Sequence, residues 1–304
     1  MNKLRIATRK SALAIWQAEH VAQKLRDHHP ELDVSLVPLS TRGDEILDRS
    51  LAEIGGKGLF LKELERALLA SEADIAVHSL KDVPAVPQPD FELVAYPPRA
   101  SWHDVWITRD GSRPEDLPAG ARVGTASLRR QGQILALCPQ LEVKTVRGNV
   151  QTRLGRLDEG AVDALILAAA GLERLQIRRA HSLALKPPGF LPSAGQGAIV
   201  VQARAGDNAV RALAEPLDCA ETRVITCAER AVVAELGGDC RMPLAALARL
   251  RDGQLHLHAR LVSLDGTKTV DAEVQGAPEE AADLGRQAAK LLLSRGGAAI
   301  LSQI

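Results

Sequence analysis

An apolar strand pattern ends in charged residues in the stretch Ile75-Ala76-Val77-His78-Ser79-Leu80-Lys81-Asp82-Val83-Pro84. Ile75 to Val77 predicts a short buried strand, and Pro84 lacks the N–H that further ladder pairing would need. Lys81 and Asp82 are therefore expected just beyond the carboxyl end of a strand, where open α/β sheets bind ligands. A carboxylate at that place can hold a cation or move a proton. The alternative is an ordinary Asp–Lys pair in a surface turn.

Strand and helix patterns alternate on both sides of this stretch. Leu4 to Thr8 and Val34 to Leu39 predict strands, with a helix between them that Ser11 can cap. A second unit follows, with strands predicted at residues 104–108, 122–124, 141–146 and 163–167. The apolar strand Ala198 to Ala203 comes late in the chain, yet it can return to the first sheet. This alternation predicts an α/β fold.

The last third of the chain has a different pattern. Strands are predicted at residues 244–250, 255–262 and 267–274, and the hairpin dipeptides Asp252-Gly253 and Asp265-Gly266 separate them. A final helix is predicted from Ala281 to Leu293. These patterns indicate a small C-terminal α+β domain with a three-stranded antiparallel sheet.

Composition excludes some classes of function. Apolar residues make up 46% of the 304 residues and charged residues 25%, which is ordinary for a globular protein. The 38 basic and 38 acidic residues balance, which argues against bulk binding to nucleic acid or a membrane surface. Aromatic residues are only 2%, so stacking of nucleic-acid bases on aromatic side chains cannot be a main mode of binding. The interpretation is a cytoplasmic protein, because the sequence has neither a membrane-length apolar run nor a signal-peptide h-region.

The four cysteines, Cys138, Cys219, Cys227 and Cys240, have no CxxC spacing and predict neither a disulfide framework nor a metal site. Cys227 lies on a predicted helix face, which indicates a buried inert thiol. Cys240 differs because it follows Gly237-Gly238 in a predicted loop. A loop thiol can be a nucleophile or an attachment point, and the alternative is an idle thiol.

Four arginines, Arg129, Arg130, Arg147 and Arg153, fall just after predicted strand ends. Several guanidiniums at one sheet edge suit carboxylates or phosphates. Thr125 to Arg130 also opens a helix with hydroxyl caps, a geometry that binds anions. The alternative is a set of solvated arginines on helix faces.

Gly55-Gly56-Lys57-Gly58-Leu59-Phe60 is a glycine-rich segment that could act as a mobile lid. The alternative is a plain glycine turn.

The chain resembles the porphobilinogen deaminase family. The resemblance rests on several blocks in the same order: Arg9-Lys10-Ser11, Thr41-Arg42-Gly43-Asp44, Gly55 to Phe60, His78 to Pro84, Gly124 to Arg130, Arg147-Gly148-Asn149, Gly195-Gln196-Gly197-Ala198 and the Cys240 loop. It implies two lobes like those of periplasmic binding proteins, with an active cleft between them. The implied boundaries are 1–99 with 198–216 for the first lobe, 100–197 for the second, and 217–304 for the C-terminal cofactor-carrying domain.

The resemblance also implies an activity and a cofactor. In the family a cysteine, here Cys240, carries a dipyrromethane through a thioether, and this primer receives four porphobilinogen molecules before hydrolysis releases hydroxymethylbilane. Asp82 is the implied catalytic residue and also one of the implied cofactor-binding residues, and no metal is required. The other implied cofactor-binding residues are Ser79, Lys81, Thr125, Ser127, Arg129 and Arg130. The implied substrate-binding residues are Arg9, Ser11, Arg147, Gly148, Arg153, Arg174 and Gln196, with Lys57 and Phe60 in the lid.

Two other functions compete with this hypothesis. A carboxylate-binding module on the same two-lobed fold would explain the arginines, but not Asp82 or Cys240. A nucleic-acid binder that uses the arginines between residues 129 and 153 conflicts with the zero net charge and the few aromatics. The expected partner is a small-molecule substrate, with no nucleic acid and no membrane, and the chain is expected to be a monomer.

Overall fold

The computed structural model describes residues 2–40, 61–86, 88–238 and 242–303. The chain divides into two compact units, Met1–Ala100 with Gly197–Arg223 and Ser101–Gln196 with Val224–Ile304. The three-domain boundaries inferred from sequence, and the cleft between lobes, stay predictions. Within the described ranges, no helix combines the length and the apolar character that crossing a bilayer requires.

A five-stranded mixed sheet with the order β2-β1-β3-β10-β4 forms the centre of the first unit. Its strands are β1 (Lys3–Arg9), β2 (Asp33–Leu39), β3 (Ile75–Ser79), β4 (Phe91–Ala95) and β10 (Ile199–Arg204). β1 pairs in parallel with β2 and β3, whereas β10 runs antiparallel to β3 and β4. The late strand therefore does return to the first sheet, as predicted.

Helices cover both faces of this sheet because apolar side chains alternate along its strands. In the described part of this unit the helices are α1 (Ala12–His28), α2 (Lys62–Leu69) and α6 (Asn208–Ala214). Ile6 shares a buried cluster with α1 and α6, and the neighbouring Ala7 shares another with α2. Ser11 caps α1 as predicted, since its Oγ accepts a hydrogen bond from the backbone N–H of Ala14.

The second unit contains a sheet of the same design, with the order β7-β6-β8-β5-β9. Its strands are β5 (Asp104–Thr108), β6 (Arg122–Gly124), β7 (Glu142–Lys144), β8 (Ala164–Ala168) and β9 (Ser182–Leu185), and its helices are α3 (Leu128–Leu137), α4 (Val150–Asp158) and α5 (Ala169–Arg174). β6 is parallel to β7 and β8, and β5 is antiparallel to β8 and β9. The two sheets have the same arrangement of parallel strands: β2-β1-β3 in the first and β7-β6-β8 in the second. In each sheet an antiparallel strand, β10 or β5, lies next to the third of these strands.

A three-stranded antiparallel sheet completes the second unit, as predicted. It consists of β11 (Leu244–Arg251), β12 (Gln254–Val262) and β13 (Thr269–Gly276), accompanied by α7 (Ala220–Glu235), α8 (Ala281–Leu292) and α9 (Ala298–Leu301). Alternate residues of β12, from Leu255 to Leu261, are buried against α8 and the middle of α7. This packing accounts for the period-two pattern that the sequence shows there.

Two local expectations were wrong, and one strand was missed. β9 was not predicted, because three of its four residues are exposed and show no apolar alternation. The strand predicted at residues 141–146 is limited to Glu142–Lys144 at the edge of the sheet. Cys227 is exposed rather than buried, because the buried face of α7 is formed by Ile225, Ala228 and Val232.

Candidate active site

In the first unit, the predicted site residues lie where β1 and β3 end. These strands are parallel, with Ile6 opposite Ile75, so their carboxyl ends share one edge of the sheet. Arg9 ends β1, while Lys81 and Asp82 lie in a single 3₁₀ turn, Leu80–Asp82, directly after β3. Lys81 is half-buried and Asp82 is exposed. Among the described residues that follow these strand ends, Arg9 and Lys81 supply cations and Asp82 a carboxylate.

Hydrogen bonds fix the backbone on which Asp82 stands. The N–H of Leu80 donates to the carbonyl of Ala198 at 3.0 Å, and the N–H of Val83 donates to the carbonyl of Leu80 at 3.1 Å. The Oγ of Ser79, at the end of β3, accepts a hydrogen bond of 2.8 Å from Nε2 of the buried Gln17 on α1. An exposed carboxylate on a fixed turn is suited to meet a ligand without a change of backbone conformation.

His78 anchors the same strand from inside the unit. Its Nε2 lies 2.8 Å from Oε1 of Gln202 on β10, and Nε2 of Gln202 donates to Oε1 of Glu65 at 3.0 Å. Burial lowers the pKa of His78 from 6.5 to about 4, against smaller raising effects of the Gln202 hydrogen bond and the Asp82 carboxylate, and the Arg9 charge lowers it slightly. The imidazole is therefore neutral near pH 7, and the charges of Asp82 and Arg9 both act on it.

In the second unit, Thr125 and Ser127 follow β6 at the equivalent edge. Ser127 caps α3, because its Oγ accepts from the N–H of Arg130 at 3.4 Å, and Oγ1 of Thr125 accepts from the N–H of Ser127 at 3.2 Å. Each hydroxyl oxygen acts as an acceptor in these bonds, which leaves the hydroxyl proton to be donated elsewhere. Both hydroxyls are thus suited to an anionic oxygen near the N-terminus of α3.

Arg129 and Arg130 on α3 are buried around one carboxylate, that of Asp104. Nη1 of Arg129 donates to Oδ2 of Asp104 at 2.7 Å, and Arg130 donates to Oδ1 from Nη2 at 2.7 Å and from Nε at 3.1 Å. Nε2 of Gln196 donates to the same Oδ1 at 3.0 Å and to the carbonyl of Trp102 at 2.7 Å. The exposed fractions are 1% for Asp104, 3% for Arg129 and 5% for Arg130. The predicted pair of arginines is therefore a buried cluster and not a pair of solvated side chains.

The remaining predicted arginines of this unit follow β7 and β8. Arg147 and Gly148 come after β7, and Gly148 has φ +104°, where an added Cβ would lie 2.9 Å from Cγ2 of Thr152. Nε of Arg153 donates to the carbonyl of Gly148 at 2.8 Å, which ties α4 to that turn. Arg174 ends α5 and is buried, and burial lowers its pKa to about 10, so it stays protonated at neutral pH.

Three predicted site residues lie outside the described residues: Cys240, Lys57 and Phe60. The roles inferred for all the site residues stay predictions. Asp104 was missed, although the sequence carries a signal for it, because it is a charged residue at the start of the otherwise apolar stretch Val105 to Ile107. Among the described residues, no group of three or more His, Cys, Asp or Glu side chains is close enough to hold a metal ion.

These features define a class of protein, an α/β protein in which each of two similar sheets has cationic and hydroxyl donors at one edge, the kind of donors that carboxylates bind. The family model described as "Porphobilinogen deaminase, dipyromethane cofactor binding domain" matches residues 4–212, and the model of the C-terminal domain of porphobilinogen deaminase matches residues 224–294. The chain belongs to the porphobilinogen deaminase family.

Relatives named porphobilinogen deaminase match along the whole chain. The one from Stenotrophomonas maltophilia is 51% identical over 302 residues, which cover 99% of this chain and 100% of the relative. The one from Xanthomonas campestris pv. campestris is 49% identical over 304 residues, covering 100% of both. Among solved structures, the periplasmic aliphatic sulphonate binding protein SsuA from Escherichia coli aligns with a TM-score of 0.42 and 15% identity over 97% of this chain and 87% of that chain.

The donor set in the second unit fits the carboxylates of a dipyrromethane. Asp104 and the two arginines carry one net positive charge, and Nε of Arg129 is buried with no hydrogen-bond partner among the described residues. A buried N–H without a partner is costly, and a carboxylate oxygen would satisfy it. The hydroxyls of Thr125 and Ser127 add donors at the start of the same helix.

Proposed function

We propose that this chain joins four porphobilinogen molecules head to tail on a covalently bound dipyrromethane primer, with loss of ammonia at each addition, and releases hydroxymethylbilane by hydrolysis. The observation that carries the proposal is the donor set for carboxylates at the ends of strands, in a chain 51% identical over 302 residues to a porphobilinogen deaminase. Porphobilinogen has an acetate and a propionate side chain, so each addition brings two more carboxylates that need cationic partners.

Cys240 is the proposed attachment point, through a thioether. When bound, the dipyrromethane supplies the nucleophilic pyrrole carbon from which the chain grows. Its carboxylates would be held by guanidinium, ammonium and hydroxyl donors, and the residues proposed for this task are Ser79, Lys81, Thr125, Ser127, Arg129 and Arg130. These residues bind and orient by charge-assisted hydrogen bonds, which are the strong ones in proteins.

Asp82 is the proposed catalytic residue. Loss of ammonia from porphobilinogen leaves a cationic carbon conjugated with the ring nitrogen, and a carboxylate beside that nitrogen lowers the energy of the charged species. The carboxylate oxygens of Asp82 can accept a hydrogen bond from the pyrrole N–H and can take up a proton when the new bond has formed. Its exposure on a fixed turn supports this role, because the charge stands where a ligand can reach it.

A second group of residues is proposed to hold the incoming substrate and the growing chain: Arg9, Ser11, Arg147, Gly148, Arg153, Arg174 and Gln196. Arg174 supports this assignment, because its pKa of about 10 leaves it protonated at neutral pH despite its burial. Gly148 lies in a turn with φ +104°, which favours a residue without a Cβ. Lys57 and Phe60 are proposed to belong to a lid that excludes water during the reaction.

The proposal extends to location and assembly. We place the enzyme in the cytoplasm, because the thiol of Cys240 has to stay reduced until the primer is attached, and reducing conditions prevail there. We propose that the chain acts as a monomer, which sedimentation at several protein concentrations will test.

The intact mass of the purified protein, compared with the mass calculated from its sequence, tests the proposal. We expect an excess equal to one dipyrrole and, after a short pulse of porphobilinogen, further species spaced by one pyrrole unit. Cys240→Ala is the control and should show the bare polypeptide mass. A wild-type protein without covalent mass that leaves porphobilinogen unconsumed would contradict the proposal and favour a carboxylate-binding module.

A further inference from the structure

We propose that Asp104 is a positioning residue of the carboxylate site, which holds the guanidiniums of Arg129 and Arg130 in one arrangement while leaving donors and one positive charge for a ligand carboxylate. The inference rests on the proposed function, because it names how that site is prepared. Its basis is the cluster in which all charged hydrogen bonds of Arg129 and Arg130 to the described residues converge on Asp104.

Sheet topology explains why this carboxylate meets the arginines. β6 and β8 are parallel, and Thr125 and α5 follow their carboxyl ends. β5 runs in the opposite direction, with Asp104 opposite Ala168, so the first residue of β5 lies at the edge where its neighbour ends. The antiparallel strand β5 therefore places an acidic side chain at the edge where hydrogen-bond donors follow the parallel strands β6 and β8.

Charge balance defines what the cluster can bind. Two guanidiniums buried side by side repel each other, and Asp104 offsets one of the two positive charges. Burial lowers the pKa of Arg129, the neighbouring Arg130 lowers it further, and Asp104 acts in the opposite direction. One net positive charge remains on the three side chains, which matches one carboxylate.

The hydrogen bonds leave a defined set of free donors. A guanidinium carries five N–H groups. Arg130 uses three of them, two on Asp104 and one on the carbonyl of Ile166 at 2.9 Å. Arg129 uses two, one on Asp104 and one on the carbonyl of Leu191 at 2.6 Å. The N–H groups that remain, among them the buried Nε of Arg129, are held in place for another acceptor.

Gln196 fixes Asp104 in turn. Its Nε2 bridges Oδ1 of Asp104 and the carbonyl of Trp102, and Gln196 is fully buried. The carboxylate therefore receives hydrogen bonds on both oxygens and has little freedom to rotate. A carboxylate held in this way can set the positions of the side chains that bind to it.

Two substitutions separate positioning from charge. Asp104→Asn keeps the shape and removes the charge, whereas Asp104→Glu keeps the charge and displaces the carboxylate by one methylene. Asp163→Asn is the matched control, because Asp163 pairs with Arg122 at the opposite edge of the same sheet, where β6 and β8 begin. All variants are made as full-length chains in a host that lacks porphobilinogen and are then given porphobilinogen.

The measured quantity is the loading rate, which is the rate at which the fraction of molecules carrying a dipyrrole rises after porphobilinogen is added. It is determined by intact mass at a temperature well below each variant's Tm. We expect both Asp104 variants to load at least about tenfold more slowly than the wild type, as for the loss of one charged contact. Asp163→Asn should load at the wild-type rate, although its Tm falls as well. A purely structural role would instead make the loading rate follow Tm in all three variants.

A second measurement, which needs no turnover, tests the charge assignment, namely that Asp104, Arg129 and Arg130 together carry one net positive charge. The cluster in Asp104→Asn has two positive charges instead of one, so sulfate should raise the Tm of this variant more steeply than that of the wild type or of Asp163→Asn. Equal slopes for Asp104→Asn and Asp163→Asn would contradict the charge assignment.

The outcomes distinguish this inference from the proposed function. If the wild type gains a dipyrrole and Asp104→Glu loads equally fast, the positioning role of Asp104 is wrong and the proposed function stands. If Asp104→Asn does not fold, Asp104→Glu decides alone, because its buried charges stay paired. If the wild type gains no dipyrrole from porphobilinogen, the proposed function itself fails.

Discussion

His78 gives the sharpest prediction about stability, because it is buried beside the turn that carries Asp82. Only 7% of the surface of His78 is exposed, and its Nε2 is 2.8 Å from Oε1 of Gln202. Protonation would bury an additional charge in this environment. The perturbation is acidification, and His78→Gln is the variant that removes the titrating group while retaining an amide that can bond with Gln202.

The magnitude follows from the pKa of His78 in the two states. In the folded chain it is lowered from 6.5 to about 4, mainly by burial. Between these values the unfolded state binds more protons, so acidification through this window lowers the free energy of unfolding, and the stabilisation is complete above the unfolded pKa. The full difference corresponds to about 3.4 kcal/mol, at about 1.36 kcal/mol for each pKa unit.

Two measurements check this prediction. The ring resonances of His78, assigned by their loss in His78→Gln, should titrate with a midpoint near pH 4. The free energy of unfolding in urea should fall less for His78→Gln than for the wild type between pH 6.5 and pH 4, by about 3 kcal/mol. A comparison at about pH 8 isolates the packing cost of the substitution, because the imidazole is neutral in both states there. A midpoint near 6.5, or parallel stability curves, would refute the reasoning.

Three further predictions concern catalysis and packing. Asp82→Asn should fold and lose activity by about a hundredfold or more, the scale for lost charge stabilisation, and a near-normal steady-state rate would exclude the catalytic role. Arg147→Leu should load the primer but elongate poorly, whereas Arg130→Leu should load poorly, and mass spectrometry after a porphobilinogen pulse separates the two defects. Each lost contact should weaken binding by about tenfold to a hundredfold. Gly266→Ala should reduce the free energy of unfolding more than Gly253→Ala, because a Cβ at Gly266 would lie 2.3 Å from the backbone nitrogen of Ala136, while Gly253 has φ +75° and nothing within 4 Å. Equal losses of unfolding free energy in urea for the two variants would show that only the left-handed φ matters, since Gly266 has φ +74°, close to that of Gly253.

Much of the architecture was determined by local pattern. The apolar run before Asp82 predicted β3 because a strand buried on both faces needs apolar residues at every position, and the burial pattern of Ile75 to Val77 agrees. The cap at Ser11, and a Ser or Thr cap for the helix that begins after Thr125, were predicted for the same kind of reason, since a hydroxyl before a helix satisfies backbone N–H groups within a few residues. The structure shows that the second cap is Ser127. The family was recognisable because its motifs are contiguous in sequence.

Other features depended on contacts between distant residues. β9 has an exposed sequence and exists because β5 offers it an edge to pair with. The side of α7 that is buried was decided by the sheet that packs on it, which left Cys227 exposed.

The arginines of the second unit show the same division between sequence and structure. Their positions after strand ends could be predicted from the sequence alone, because each follows its own strand in the chain. Asp104 precedes Arg129 by 25 residues and Gln196 follows it by 67, so no local pattern connects the three. Only the antiparallel direction of β5 brings Asp104 to the edge where α3 begins, and only there does one carboxylate fix two buried guanidiniums.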